Sequence, residues 1–296
     1  MAADPQPRAP GFAMPEGACD CHAHICGPAA DFPYVDERIY TPPDATIGSY
    51  RQLLAALGVA RAVLIQPSVY GTDNRAMVAA LRASGPGFRG VAVVAPDIAA
   101  REVEALHAAG IRGVRLNLVD RREGKNAVPL DLVRALATRI APLRWHIEFL
   151  VNLDEAAGFA RAVGDLPVPI VLGHLGYPRT GARGFAATPA FAELLRLLGS
   201  GRCWVKLTGP YRISAAADLP YEDVDELAAR LVEAAPARLV WGSDWPHVMM
   251  KKPMPNDGPL CDLLARWIAD AATRKRILVD NPMALYGFGA DERIGS

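Results

Sequence analysis

The chain has 296 residues, 51% of them hydrophobic, enough to bury the core of one large α/β domain or two average ones. Lys plus Arg number 32 and Asp plus Glu 32, so the formal net charge is zero and the balance favours neither nucleic acid nor an anionic membrane as partner. No uninterrupted apolar run is long enough to span a bilayer.

The opening stretch MAADPQPRAPGFAMPEG is rich in Pro, Ala and Gly and lacks the apolar segment of a signal peptide, which predicts an extended tail over 1–16 lying against the body. The five cysteines, Cys19, Cys21, Cys26, Cys203 and Cys261, form no C-x-x-C pair and are odd in number. They read as thiols of a reduced, cytoplasmic chain rather than a disulfide framework or structural zinc site. From residue 17 to 290, short apolar β-branched runs alternate with amphipathic helical patterns. Strands are predicted at ACDCHAH (18–24), ARAVLIQP (60–67), GVAVVAP (90–96), GVRLNL (113–118), HIEFLV (146–151), PIVLGHLG (169–176), CWVKLTG (203–209) and RLVWGSDW (238–245). Helical patterns such as SYRQLLAALG, NRAMVAALRASG and AREVEALHAAG separate them, several ending in the Gly expected just past a helix.

Eight βα units argue for a parallel sheet, and eight in one chain of this length for closure into a single (β/α)8 TIM barrel of the α/β class. An open doubly wound sheet has less support, because no G-x-G-x-x-G follows the first strand. After the eighth strand, DLLARWIADAATRKRILVDNPMALYGF predicts two further helices, and no composition shift marks a second domain.

In such barrels the chemistry collects where strands run into the following loops. His22 and His24 close the first strand, Ser68 follows the second, and Arg115 and Asn117 close the fourth. His174 closes the sixth, Lys206 and Thr208 the seventh, and Asp244 the eighth, within WGSDWPH. Residues i and i+2 share one face of a strand, so His22 and His24 should point together into the barrel mouth, with Cys21 and Ala23 toward the helices. Each residue alone has a plain structural reading: a satisfied core pair for H-x-H, a strand-end cap for His174, a turn cap for Asp244. Their combination points to a reaction centre. His146, at the start of the fifth strand, reads as structural, and His107 as a surface residue.

H-x-H, GHLG and WGSDWPH, in that order on eight βα units, resemble the amidohydrolase superfamily. CDCHAHICGPAADFPYVDERIYTPPDA, TDNRAMVAALRASG, GVRLNLVDRR, LVWGSDWPH and LVDNPMALY narrow the likeness to its lactone-hydrolase branch, the 2-pyrone-4,6-dicarboxylate lactonases, over nearly the whole chain. The resemblance implies a (β/α)8 barrel with His22, His24, His174 and Asp244 as the reaction centre and Asp244 as general base on water. It also implies that Arg115, Arg121 or Arg122, and Arg212 hold substrate carboxylates, with Tyr40 nearby. Ser68, Asn117 and His247 complete the expected substrate contacts. The implied activity is hydrolysis of a carboxylate-bearing lactone. A metal-dependent decarboxylase and a sugar-acid lactone isomerase are the alternatives on the same scaffold.

The residue chemistry agrees. Lactone hydrolysis needs an activated water and support for a developing oxyanion, and guanidinium forks suit planar carboxylates. The branch carries a tyrosine near the end of the fifth strand where this chain has Leu150, so its pocket should be more apolar there. Glu148, one step deeper, needs a buried partner, which Arg115 or Lys206 could supply. The fourth strand offers Arg115, which cannot ligate as a cation, so a two-metal site is not expected. The cofactor is then either none or one divalent ion, Zn or Mn, held by His22, His24, His174 and Asp244. The expected partner is a small anionic lactone, with no nucleic acid and no membrane, and a homo-oligomer is compatible with the composition.

Overall fold

The computed structural model describes residues 2–121 and 123–295. Among these, eight parallel strands pair in strict chain order: β1 (Cys19–Ala23), β2 (Arg61–Ile65), β3 (Phe88–Ala92), β4 (Ile111–Asn117), β5 (His146–Leu150), β6 (Ile170–Leu172), β7 (Cys203–Leu207) and β8 (Leu239–Trp241). The connecting helices are α1 (Ile47–Leu57), α2 (Arg75–Ser84), α3 (Ala100–Ala108), α4 (Leu130–Ile140), α5 (Phe159–Val163), α6 (Gly181–Ala186), α7 (Pro189–Gly199) and α8 (Asp225–Ala234). After β8 come α9 (Asp257–Trp267), α10 (Ala271–Lys275) and α11 (Asn281–Tyr286), the last two joined by a wide helical turn over Arg276–Asp280. This is the expected (β/α)8 barrel. The strands end sooner than the apolar runs do, because the polar residues at their ends have left the ladder for the loops.

Two apolar layers follow from strand alternation. Leu64, Ile147, Leu172, Val205 and Trp241 pack outward with the helices. Cys19, Cys21, Val63, Ile65, Val91, Val171, Trp204 and Val240 fill the barrel interior together with Tyr286 and Phe288. Arg61 closes the end of the barrel remote from the strand-end loops, donating to the carbonyls of Gly17, Gly289, Ala290 and Glu292.

Cys21 therefore corrects the simple alternation, which aimed it at the helices. The cause is a bulge: Asp20 pairs with Ala62 and Ala23 with Leu64, so three steps along β1 match two along β2. Cys21 and His22 both face inward, and His24 follows in phase. The side chain of Asp20 makes the bulge, accepting from the backbone N–H of His22 at 3.1 Å. The same carboxylate accepts from Tyr50 Oη at 2.9 Å on α1, and from the Ser243 N–H and Oγ at 2.9 and 2.5 Å. It is fully buried, and it draws the two ends of the sheet together. Closure is completed by Asp244 N to His22 O and His24 N to Trp245 O, both 2.8 Å. Gly242 permits the approach, since a Cβ there would stand 2.6 Å from His22 Cβ.

Residues 2–16 carry no helix or strand and run along α9. Asn256, the N-cap of α9, takes the Arg8 N–H on its Oδ1 and donates to Asp4 Oδ2 and Gln6 O. His107 is half-buried rather than on the surface: it accepts from Trp145 Nε1 at 2.9 Å and stacks on that indole. All five cysteines are buried and unpaired, and no helix among the described residues is long and apolar enough to cross a membrane.

Ser243→Ala should cost about 1–3 kcal/mol, because it leaves a buried carboxylate short of a donor. Urea unfolding of the variant beside the parent checks this, and an unchanged midpoint would show that Asp20 does not hold the seam.

Candidate active site

Of the strand-end residues, His24, Ser68, Arg115, Asn117 and His174 line a cavity of about 540 Å³ at the C-terminal mouth of the barrel, with His22 and Asp244 buried against the two lining histidines. Asp244 lies at the centre, wholly buried, with its backbone in the left-handed region at φ 65°. Its two oxygens have different lives. Oδ2 is pinned by Arg212 Nε at 2.6 Å and Tyr211 Oη at 2.5 Å. Oδ1 has no hydrogen-bond partner and faces His22 Nε2 at 3.7 Å and His24 Nε2 at 4.0 Å. His174 Nδ1 stands 4.0 Å from Oδ2 and is likewise unpartnered. The predicted convergence of three histidines on one carboxylate is thus present.

Local sequence explains the placement. Alternation puts His22 and His24 on one face, and the β1 bulge turns that face to the interior beside Cys21. After β6 the backbone turns left-handed through His174, Leu175 and Tyr177, with φ 50°, 53° and 49°. Asp244 and His247 do the same after β8, with φ 65° and 58°, and such clusters of strained backbone mark functional sites. Gly209, at φ 57° after β7, leaves the space that the centre occupies: a Cβ there would lie 2.8 Å from both Asp244 Oδ2 and His174 Nδ1.

The electrostatics follow from burial and the arginines. Burial would raise the Asp244 pKa, but Arg212 and His174 outweigh it and hold the carboxyl well below its ordinary value. Burial, with Arg115, pushes His24 down to about 3. Burial takes His174 to about 3 as well, Arg212 and Arg115 assisting against the pull of Asp244. His22 is driven well below its usual value by burial, Lys206 and the other histidines. The centre is therefore an ionised Asp among neutral imidazoles.

The spacing also bears on a metal. Ligand atoms of His22, His24 and Asp244 lie within 4.8 Å of one another, close enough to bind one ion. His24 is oriented for this, since its Nδ1 meets the Ile65 carbonyl at 2.8 Å and leaves Nε2 bare.

The remaining expected residues divide. Tyr40, Ser68, Arg115, Asn117 and Arg212 line the cavity. Arg115 donates to the Gln66 carbonyl at 3.1 Å, and Asn117 shapes the following loop through Asp120. Arg121 is exposed, directs Nη1 to the Ala127 carbonyl and does not line the cavity. Arg122 lies outside the described residues. His247 is buried behind Tyr211: Nδ1 meets Tyr211 Oη at 2.9 Å and Nε2 meets Asp257 Oδ1 at 3.1 Å, so its imidazole is linked to the Asp244 carboxylate through Tyr211. Glu148 takes Lys206 as its partner at 2.7 Å, not Arg115. Sequence reasoning passed over Tyr211, Asn126, Tyr177, Arg179, Lys251 and Lys252, which lie at the cavity on loops with no periodic signal to mark them. Among the described residues, six cationic side chains, Arg115, Lys125, Arg179, Arg212, Lys251 and Lys252, line it against two carboxylates, Asp120 and Glu155.

A parallel eight-stranded barrel with H-x-H on β1, His after β6 and Asp after β8 defines an amidohydrolase-type enzyme. The chain belongs to the Amidohydrolase family, whose profile matches residues 19–288. It is 40% identical to a 2-pyrone-4,6-dicarboxylate hydrolase of Comamonas testosteroni, over 95% of this chain and 93% of that one. It is 38% identical to a 4-sulfomuconolactone hydrolase of Rhizobium radiobacter, over 93% and 92%. A D-galactarolactone isomerase of Agrobacterium fabrum is 30% identical over 94% of both chains.

Gly209→Ala should place a methyl against Asp244 and His174 and lower turnover about 10²-fold, the scale of a 1 Å displacement of reacting groups. Circular dichroism should show the barrel intact. Parent-like turnover would mean that the centre tolerates the shift.

Proposed function

We propose that the protein hydrolyses a small anionic lactone, with Asp244 as general base. The observation that carries this is the division of labour on one carboxylate: Oδ2 is anchored by Arg212 and Tyr211, while buried Oδ1 is free and faces the histidines below a cation-lined cavity. A water between Asp244 Oδ1 and His24 Nε2 has two acceptors for its hydrogens, which leaves a lone pair to attack the ester carbonyl. Asp244 takes the proton as the new C–O bond forms. The carbonyl oxygen gains charge beside His22 and His174, which provide N–H groups to it. The ring C–O bond then breaks, and the leaving oxygen takes the proton back from Asp244. The product is the ring-opened hydroxy acid or its keto form.

Arg115, at the cavity wall, and Lys125, Arg179, Lys251 and Lys252 nearer its rim supply positive charge for substrate carboxylates or sulfonates. Both hydrolases among the relatives are named for acidic lactones, which supports the same class here. Leu150 lines the cavity and favours an apolar edge on the substrate ring. If a divalent ion is bound, His22, His24 and Asp244 would hold it, and it would polarise the ester carbonyl. Every step above is carried by the chain's own groups.

The isomerase reading has the Agrobacterium fabrum relative in its favour. A panel of anionic and neutral lactones, followed by acid release and by mass, separates the two: hydrolysis adds one water, whereas ring-size change adds none. Release of CO2 instead would indicate a decarboxylase. On the best substrate, Asp244→Asn should lower kcat by about 10²-fold or more while ligand still binds. Near-parental kcat would remove Asp244 as base.

The pH profile has a defined shape. The free enzyme holds Asp244 ionised, and His24 and His174, each pushed to about 3, neutral. Each group keeps one protonation state above its lowered pKa, so kcat/KM should be flat from about pH 5 to 8. An acid limb near the ordinary histidine value of about 6.5 would show that an imidazolium takes part.

A further inference from the structure

Under the reaction centre the barrel interior holds an ion pair that no step above uses. Lys206 on β7 and Glu148 on β5 are both buried, with Nζ 2.7 Å from Oε2. Lys206 Nζ also donates to the Cys21 carbonyl at 2.7 Å and lies 3.3 Å from His22 Nδ1. An ammonium has three N–H bonds and no lone pair, so Lys206 Nζ meets the Cys21 carbonyl and His22 Nδ1 only as a donor. Glu148 Oε1, at 3.6 Å from His22 Nδ1, is too far to compete as an acceptor. The bulge in β1 creates this meeting, since it turns Cys21 and His22 to the inside together.

We propose that Lys206 and Glu148 are positioning residues that fix His22 as its Nε2–H tautomer, so that its one N–H points into the reaction centre as donor to the developing oxyanion. The oxyanion role rests on the lactone-hydrolase reading; the tautomer does not. A neutral imidazole has one N–H and one bare nitrogen. Nδ1 of His22 faces an ammonium hydrogen, so with no ion bound it is the bare nitrogen and the proton sits on Nε2, on the side of Asp244. His24 is set the other way, because its Nδ1 meets a carbonyl. Two histidines separated by one residue thus carry opposite tautomers. One offers a donor to the carbonyl, and the other an acceptor that helps Asp244 hold the water. Glu148 compensates the charge of Lys206, which could not otherwise sit at 0% exposure in the barrel.

The test has two arms on the full chain. Long-range 1H–15N correlation of histidine-labelled protein at neutral pH, without substrate, reads each tautomer. Loss of a signal in His22→Gln and in His24→Gln assigns the two rings. The expected result is Nε2–H at His22 and Nδ1–H at His24, and Nδ1–H at His22 overturns the proposal. The second arm replaces the pair by uncharged groups of similar size, Lys206→Met with Glu148→Gln. In the folded double variant His22 should move to Nδ1–H or to a mixture. Its kcat should fall about 10–100-fold, the usual scale for partners that orient a working side chain, with KM within about threefold. Unchanged kcat with His22 still at Nε2–H would make the pair structural and overturn the proposal. The first arm needs neither the double variant nor a known substrate, so it decides even if that variant does not fold. If no lactone is opened, the functional reading fails by itself while the tautomer result stands.

Discussion

The carboxylate of Asp20 is the constraint on which the rest of the molecule turns. It is one buried charge shared by four donors from three parts of the chain: β1 itself, α1 and the segment after β8. A buried carboxylate is tolerated only when so surrounded. Satisfying it joins the first and last strands and adds the extra residue that brings Cys21 and His22 to the interior together. The geometry that closes the barrel is the geometry that aims the histidines. A barrel without Asp20 would need another way to close, and its first strand would present Cys21 or His22 to the interior, but not both.

Around that seam, charge is layered. Deepest lies the Lys206–Glu148 pair, then neutral imidazoles about one ionised Asp, then a rim of cations. The low pKa of Asp244 looks unsuited to a base, since proton transfer is most efficient when the pKa lies near the working pH. Arg212 reconciles the two. It holds Asp244 at 2.6 Å and lines the cavity as well, so in the proposed reaction an anionic substrate would compete with Asp244 for the same guanidinium. Any loosening of that pair raises the basicity of Asp244 at the moment of binding. Tyr211, His247 and Asp257 keep the carboxylate in place meanwhile, as a hydrogen-bonded row running back to α9.

Much of this was legible in the residues alone, for physical reasons. Eight apolar runs separated by amphipathic segments leave little choice but a parallel barrel, and polar residues at the ends of such runs have nowhere to be but the mouth. His22, His24, His174 and Asp244 were found in that way. Alternation failed at Cys21, because a bulge depends on a side chain, Asp20, satisfying the backbone two residues on. His247, expected at the substrate, lies behind Tyr211 instead, because the turn after Asp244 has no strand period to place its side chain. Loop arginines were harder still: Arg115 is directed by its strand, whereas Arg121 is free to turn to the Ala127 carbonyl. Tyr211 had a neighbour's clue, lying beside Arg212 in TGPYR, but its partners come from far along the chain.

The rim cations come from separate stretches: Lys125 after β4, Arg179 after β6, and Lys251 and Lys252 after β8. None of these four cations is hydrogen-bonded to Asp20, His22 or Asp244. Under the proposed function, recognition at the rim and reaction at the floor thus rest on separate segments of the chain. Descendants of such a chain can exchange one acidic ring for another by substitutions at the rim, at small cost to stability, while the machinery beneath is inherited intact.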